Sequence, residues 1–150
     1  MPPVDTDLLT RLRDRGWRLS AQRRAVAEVL AGEHVHLSAE EVRSRAGRRL
    51  PEISRATVYN TLNELVALGE VLEIVVTDGP KRYDPNVHTP HDHLVCARCG
   101  AIRDVPASGA GRPVVAGADL AGYAVTHVEI VYRGLCPTCA SLASSEAATG

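Results

Sequence analysis

The sequence predicts an α+β protein with two domains, which we place at residues 1–85 and 86–150 of the 150-residue chain. Helical periodicity fills the first half and ends in a strand hairpin, whereas short strands around a Cys-x-x-Cys turn dominate the second half. The chemistry changes at the same point, because all four cysteines and four of the six histidines follow residue 87.

The composition is that of a folded globular protein. Apolar residues make up 45% of the chain and charged residues 23%, while an aromatic content of 3% leaves the core to Leu, Val, Ile and Ala. No apolar run approaches the roughly 20 residues of a membrane-spanning helix, and the N-terminus lacks the apolar segment of a secretory signal. We therefore expect a cytoplasmic protein with no membrane partner and with reduced cysteines.

The net charge of −1 conceals an uneven distribution. Residues 1–60 contain eleven arginines against eight acidic residues, and sixteen of the 17 basic residues in the chain are arginine. The planar guanidinium group matches phosphate oxygens better than an ammonium group does. The excess of cationic charge therefore falls on the first domain.

Four helices are predicted in the first domain, over residues 5–15, 21–31, 39–48 and 55–68. Ser20, Ser38 and Ser54 are placed to cap the last three, and Ser38 also forms a capping box with the glutamate three residues later. Gly16 and Gly69 are expected to end the first and the fourth helix. Apolar stripes on the first, second and fourth helices predict a common core.

The fourth helix carries a polar side as well as an apolar one. Its buried stripe is predicted to consist of Val58, Leu62, Leu65 and Val66. Arg55, Tyr59 and Asn63 recur four residues apart, so they share a different side that faces solvent.

Two strand-like segments follow this helix, at residues 70–76 and 81–84, and Asp78-Gly79-Pro80 marks a tight turn between them. Three helices, a helix that presents polar side chains and a hairpin form the outline of a winged helix-turn-helix. Such a module inserts its recognition helix into the major groove of DNA. An ordinary helical bundle with a polar outer face is the alternative that the periodicity leaves open.

Three strands and little helix are predicted in the second domain. The strands cover residues 92–96, 101–105 and 124–133. The segment at residues 106–123 is rich in Gly and Ala, with one weak helix near residues 114–120. Residues 141–150 are expected to form a frayed tail.

The strongest chemical signal is a pair of Cys-x-x-Cys motifs, Cys96-Ala-Arg-Cys99 and Cys136-Pro-Thr-Cys139. Each motif can hold one edge of a tetrahedral metal ion, so the two together predict a closed four-sulfur zinc site with a structural role. The alternative, two redox-active dithiols, lacks the expected βαβ context.

A second group of candidate ligands contains only nitrogen and oxygen donors. His91 and His93 alternate along a strand and therefore face the same side. His36, Asp84 and Asp104 would complete a five-residue site. Such a set suits iron(II) or manganese(II) better than copper(I), and zinc also fits. The alternative is that these are surface polar residues.

Four segments of the sequence are distinctive: Gly16-Trp-Arg-Leu-Ser-Ala-Gln-Arg23, Ser54-Arg-Ala-Thr-Val-Tyr-Asn60, His91-Asp-His-Leu-Val-Cys-Ala-Arg-Cys99 and Cys136-Pro-Thr-Cys139. Together they resemble the ferric-uptake-regulator (Fur) family of bacterial metal-dependent repressors, over about residues 8–140. The resemblance implies an N-terminal winged helix followed by a small α/β dimerisation domain. It also implies a homodimer that binds a palindromic operator in double-stranded DNA.

The second ligand group is similar to that of the peroxide-sensing branch of this family, the PerR or CatR-like regulators. The matching residues are His36, Asp84, His91, His93 and Asp104. Iron sensors of the family tend to have Glu at the two Asp positions. The resemblance implies structural Zn²⁺ and regulatory Fe²⁺ or Mn²⁺. With iron bound, it implies that peroxide oxidises His36 or His91, the metal is lost and peroxide-defence genes are derepressed.

The resemblance also implies a set of DNA contacts. The residues concerned are Arg18, Arg23, Arg55, Tyr59 and Asn60. Arg18 would enter the minor groove and Arg23 would hold phosphate. Arg55 and Tyr59 would contact base edges in the major groove, where a tyrosine ring suits a thymine methyl group.

Two other functions stay open at this point. One is an iron- or zinc-responsive repressor of metal homeostasis without peroxide sensing, and the other is a metalloenzyme that uses the nitrogen-and-oxygen site for redox turnover. We expect no enzyme. The motif His127-Val-Glu129 resembles that of zinc deaminases, but it lies too close to Cys136, and the cysteines that follow it have better partners. Whether His88 or His127 completes a further metal site is also open, and residues 106–123 lack the firmer helix that is usual in the family.

Overall fold

A computed structural model describes residues 7–32, 35–76, 79–107, 115–125 and 128–149. The chain contains both helices and sheets, which confirms the α+β class. It divides into two compact units, Met1–Thr89 and Pro90–Gly150.

The first unit has the element order of a winged helix. Its elements are α1 (Leu8–Asp14), α2 (Ala21–Leu30), α3 (Ala39–Ala46), α4 (Arg55–Ala67), β1 (Leu72–Ile74) and β2 (Arg82–Asp84). α3 and α4 form the helix-turn-helix, and the antiparallel strands β1 and β2 form the wing, with Glu73 opposite Tyr83. Both strands are shorter than predicted, because their ladder contains only three residue pairs.

Local side-chain caps determine where three of the helices begin. Ser20, Ser38 and Ser54 each accept a hydrogen bond from the backbone N–H three residues later. In α3 the N–H of Ser38 also donates to the Glu41 carboxylate at 2.8 Å, which completes the capping box. The starts agree with the predicted ones because a cap and its partner are close in sequence.

The four helices bury one common apolar core. Its fully buried members are Leu12, Val26, Ala27, Leu30, Val42, Val58, Leu62 and Leu65. Val66, a predicted member of the buried stripe, is only partly buried and packs against the edge of this core. The opposite side of α4 leaves Arg55, Tyr59 and Asn63 exposed, as their spacing predicts.

The second unit is a small three-stranded sheet with a C-terminal helix. Its elements are β3 (His91–Cys96), β4 (Ile102–Pro106), a 3₁₀ turn (Gly117–Leu120), β5 (Val131–Gly134) and α5 (Pro137–Ala148). The strand order is β4-β3-β5, in which β3 is antiparallel to β4 and parallel to β5. Within the described part of the chain, no helix has both the length and the apolar character to cross a bilayer.

Two predicted elements of this unit are shorter in the structure. For the strand predicted at residues 124–133, the described residues contain β5, whose ladder to β3 begins where His93 lies opposite Val131, and residues 126 and 127 lie outside the described residues. The weak helix predicted near residues 114–120 is a single 3₁₀ turn, and its predicted first residue lies outside the described residues. Both elements occur where predicted, but with few main-chain hydrogen bonds.

The frayed tail predicted at residues 141–150 is wrong, because α5 occupies most of this segment. The helix starts at Pro137, whose fixed φ angle suits the first helical position, and Cys136 is its N-cap. An ion pair between Arg98 and Glu146, with an Nη2–Oε1 distance of 2.6 Å, anchors the C-terminal half. The helix is thus stabilised by the cap at Cys136 and by the ion pair with Arg98. The composition of residues 141–150 indicates neither of these interactions.

Replacement of Leu62 by Ala should destabilise the first unit by about 2–5 kcal/mol, because it removes a fully buried side chain and leaves a cavity. Urea titrations followed by the fluorescence of Trp17, which packs against the same core, measure the change in the free energy of unfolding. The exposed Val75 provides a control, since Val75→Ala should change that free energy by no more than about 0.5 kcal/mol. Equal losses in the two variants would contradict the placement of α4 in the core.

Candidate metal centres and nucleic-acid interface

The two Cys-x-x-Cys motifs come together in the second unit. One starts at the end of β3 and the other spans the start of α5. The sulfur atoms of Cys96, Cys99, Cys136 and Cys139 all lie within 4.8 Å of one another. Backbone N–H groups also point at the sulfurs: that of Cys136 donates to Cys96 Sγ at 3.3 Å, and that of Cys139 donates to Cys136 Sγ at 3.5 Å.

Thiols packed this closely do not ionise alike. Hydrogen bonds from the backbone of Cys136, and then of Cys99, lower the pKa of Cys96 to about 6. The side-chain hydrogen bond with Cys136 raises the pKa of Cys139 to about 12. Four thiolates can therefore coexist here only when a cation balances their charge, and four thiolates are a set that tetrahedral zinc prefers. The residues fit the predicted structural zinc ion.

In the first unit, backbone pairing places His36 beside Asp84. The N–H of Tyr83 donates to the carbonyl of Leu37 at 2.8 Å, and the N–H of Leu37 donates to the carbonyl of Tyr83 at 3.3 Å. His36 and Asp84 adjoin this antiparallel bridge, and His36 Nε2 lies 3.4 Å from Asp84 Oδ2. Two residues that are far apart in sequence thus become neighbours through two main-chain hydrogen bonds.

Asp84 is also fixed by its immediate surroundings. Its side chain is fully buried, and Oδ1 accepts a hydrogen bond from the N–H of Asn86 at 2.8 Å. The carbonyl of Pro85 accepts a hydrogen bond from Arg11 Nη2 at 3.0 Å, and Arg11 Nε is paired with Glu70 at 2.7 Å. The segment that follows the wing is therefore attached to α1, which holds the Asp84 carboxylate in place.

In the second unit, three of the predicted ligands lie together on the sheet. His91 and His93 face the same side of β3, and Asp104 lies opposite His93 on β4. Asp104 Oδ1 is 3.6 Å from the Nε2 atom of each histidine. The two imidazole rings meet edge to face, with centroids 4.7 Å apart. Three donors thus converge on one position beside the sheet.

A further carboxylate lies on the other side of His93. Glu129 Oε1 is 3.3 Å from His93 Nδ1. Parallel strand pairing places it there, because the N–H of His93 donates to the carbonyl of Ile130 at 3.1 Å. The sequence carries no local signal for this neighbour, since the contact depends on segments that are far apart in the chain.

Both nitrogen-and-oxygen sets fit a divalent metal ion. Two donors belong to the first unit and three to the second, all of them imidazole nitrogen or carboxylate oxygen, which suit iron(II), manganese(II) or zinc. Neither set alone fills an octahedral coordination sphere. Of the two histidines considered for a further site, His88 is exposed and belongs to neither ligand group, and His127 lies outside the described residues.

The predicted DNA-binding residues belong to the first unit. Arg18, Arg55, Tyr59 and Asn60 are exposed. Arg23 differs, because its guanidinium lies over the ring of Trp17 and pairs with Glu64 at 2.6 Å. Arg23 also donates to the carbonyl of Arg18 at 3.2 Å. Its contacts therefore fix the segment that presents Arg18.

A winged-helix unit followed by a sheet with two kinds of metal-ligand cluster defines a class, the metal-responsive transcriptional regulators. The sequence pattern of the ferric uptake regulator family matches residues 14–132. The chain belongs to this family.

Proteins with similar sequences carry two different names. Transcriptional regulator FurA of Mycobacterium tuberculosis is 34% identical over 133 residues, which cover 89% of this chain and 90% of the relative. Peroxide-responsive repressor PerR of Staphylococcus saprophyticus is 32% identical over 133 residues, which cover 89% of each protein. The chain is thus similar both to a transcriptional regulator named FurA and to a repressor named for its response to peroxide.

Solved structures share the fold. The Campylobacter jejuni peroxide stress regulator superposes with a TM-score of 0.62 at 28% identity, over 89% of this chain and 100% of that one. The Vibrio cholerae ferric uptake regulator gives a TM-score of 0.62 at 26% identity, over 87% and 100%. The Helicobacter pylori ferric uptake regulator, described as having three functional metal binding sites, gives 0.65 at 21% identity, over 89% of each chain.

Purified protein should contain about one zinc ion per chain, and Cys136→Ser should lose it, because a four-thiolate site loses one of its ligands. Serine can replace Cys136 as the cap of α5, so a lower Tm of this variant should result from the lost zinc and not from a lost cap. Ser141→Ala, on the exposed surface of the same helix, is the control and should keep its zinc. Full zinc content in Cys136→Ser, measured by elemental analysis, would be incompatible with this site.

Proposed function

We propose that this protein is a metal-dependent transcriptional repressor that senses hydrogen peroxide and releases DNA when a ligand histidine is oxidised. The observation that carries the proposal is the ligand chemistry: three imidazoles and two aspartates without a thiolate. Held by these residues, iron(II) would promote the reaction of peroxide with a neighbouring imidazole. One peroxide oxygen would be inserted into a ring C–H bond, the O–O bond would break, and the other oxygen would leave as water, so the imidazole is oxidised and peroxide is reduced. With manganese(II), the same residues would support DNA binding without this reaction.

The two ligand sets are proposed to form one site. His36 and Asp84 would supply two donors, and His91, His93 and Asp104 would supply three. A metal ion that takes ligands from both units would restrict the angle between the two units. It would therefore select an arrangement of the winged helices that binds DNA. Oxidation of His36 or His91 would remove one donor and end that restriction.

DNA recognition is proposed to use α4. Arg55, Tyr59 and Asn60 are exposed near the N-terminus of this helix, the end that helix-turn-helix proteins direct toward base edges. Arg18 is exposed on the segment before α2, where its charge would reach the minor groove. In a homodimer on a palindromic operator, the two recognition helices would lie about 34 Å apart.

The homodimer is proposed to form through the second unit. Several large apolar side chains are exposed there: Leu94, Tyr123, Val125, Val128, Tyr132 and Leu135. Exposed apolar surface of this kind favours burial against a partner. β5 is also an edge strand of the sheet, which offers main-chain groups for pairing.

An iron-responsive repressor without peroxide sensing is the second candidate function. A relative named ferric uptake regulation protein 1, from Mycolicibacterium fortuitum and 36% identical over 126 residues, favours it. The same ligands would then control DNA binding by their occupancy alone. The two functions differ at one testable point, which is whether a ligand histidine gains an oxygen atom.

The proposal is tested by DNA binding under anaerobic conditions, before and after a small pulse of peroxide. The probe is a palindromic duplex selected from a random-sequence pool by the manganese-loaded protein. The iron-loaded form alone should lose binding, and peptides containing His36 or His91 should gain the mass of one oxygen atom.

Two variants make this test specific. His36→Ala should lose metal-dependent binding, whereas His88→Ala should behave as the wild type, because His88 is exposed and outside both ligand sets. Binding that follows the metal but not peroxide, with unmodified peptides, would leave the iron-responsive repressor and contradict peroxide sensing.

Tyr59→Ala should weaken specific DNA binding by about 1–3 kcal/mol, because it removes the ring proposed to contact a base in the major groove. Tyr59→Phe keeps the ring and should keep most of the affinity. Both variants should retain the zinc content of the wild type. Titrations of the selected duplex measure the effect, and an unchanged affinity of Tyr59→Ala would place the recognition surface elsewhere.

A further inference from the structure

The ring of His93 lies between two carboxylates. Asp104 Oδ1 is 3.6 Å from Nε2, and Glu129 Oε1 is 3.3 Å from Nδ1. Strand pairing fixes both neighbours, since Asp104 is opposite His93 on β4, and Ile130, which follows Glu129, accepts the backbone N–H of His93. The two nitrogens of one buried imidazole therefore face two different acidic groups.

We propose that Glu129 is a positioning residue for the regulatory metal, and this inference rests on the metal-binding role proposed above for His93. The Glu129 carboxylate, whose Oε1 lies 3.3 Å from His93 Nδ1, favours the hydrogen on Nδ1 by its negative charge and so leaves Nε2 as the ligand nitrogen. Glu129 itself is not a ligand in this assignment. It acts through the tautomer and the orientation of the ring.

The chemistry of imidazole makes the two nitrogens interdependent. A neutral ring has one N–H and one lone pair, so the partner of one nitrogen decides the role of the other. An ionised carboxylate only accepts hydrogen bonds, so the hydrogen must be on Nδ1 for the contact with Glu129 to form. Nε2 then has the lone pair, and it is the atom that faces Asp104. A carboxylate partner also makes the ligand nitrogen more basic and strengthens metal binding.

Burial separates this contact from an ordinary surface ion pair. The side chain of His93 is 1% exposed and that of Glu129 is 32% exposed, so the carboxylate covers the ring at the boundary with solvent. Exposed ion pairs contribute little because water screens them, whereas the interaction of a carboxylate with a buried ring is screened less. The direct attachment of Glu129 to Ile130 holds the carboxylate at this boundary.

The tautomer of His93 is the first readout. In zinc-loaded protein without regulatory metal, long-range proton–nitrogen NMR spectra at mildly alkaline pH should show hydrogen on Nδ1. This is the opposite of the tautomer that free histidine favours, so an external cause is required. The preference should weaken or reverse in Glu129→Ala. A wild-type ring with hydrogen on Nε2 would overturn the assignment.

Manganese affinity is the second readout. Glu129→Ala should raise the Kd for manganese(II), measured by electron paramagnetic resonance of the free ion, by about 10–100-fold. Glu129→Gln should lose less, because its amide oxygen can still accept from Nδ1. The control Glu146→Gln removes the same charge from the same unit. Glu146 pairs with Arg98 and not with His93, so the manganese Kd of this variant should match that of the wild type. Zinc content should be equal in all four proteins.

The outcomes separate this inference from the proposed function. A Kd in Glu129→Ala equal to that of the wild type would overturn the positioning role while leaving the metal site intact. A wild-type protein that binds no manganese would instead overturn the proposed function. If Glu129→Ala fails to fold, the tautomer of His93 in the wild type and the manganese Kd of Glu129→Gln still test the positioning role of Glu129.

Discussion

The rest of the structure depends on how the protein buries ionisable side chains. Asp84 and His93 are almost without solvent contact, and such groups are costly to bury unless each has a polar partner. Each unit places these partners by main-chain pairing: the bridge of Leu37 with Tyr83 in the first, and the ladders of β3 in the second. These main-chain hydrogen bonds do not involve the ligand side chains, and at Asp84 the side chain adds a further one by accepting the N–H of Asn86.

The same segments connect the ligands to the elements proposed to bind DNA. His36 is two residues before Ser38, the cap of α3, and Asp84 is the last residue of the wing. A displacement of either ligand would therefore be transmitted to the helix-turn-helix through only a few covalent bonds of the main chain. The cysteine cluster has a different position and chemistry, since its sulfur donors connect β3 to α5. Sulfur ligands would thus maintain the second unit, while nitrogen and oxygen ligands would carry the regulatory response.

The sequence predicts the features that depend on neighbouring residues. The serine caps and the two Cys-x-x-Cys motifs are of this kind, because their partners lie three residues away. Spacing alone predicts that His91 and His93 share a side, whereas it does not bring the other three proposed ligands to them, and the family resemblance supports that grouping. Contacts between distant segments are not predictable in this way: Glu129 reaches His93 only through β5, and Arg23 is held by Glu64 on α4. The C-terminal helix escapes prediction because its tail has no apolar stripe.

The proposal that one regulatory metal ion takes ligands from both units can be tested directly by manganese titration of zinc-loaded protein. The wild type should bind about one manganese ion per chain, and Asp84→Ala and Asp104→Ala should each abolish that same site, because each removes a carboxylate from a shared set. The double variant should be no worse than either single one, as expected for residues that act as a unit. Two manganese sites, each lost in only one of the variants, would contradict a shared ion.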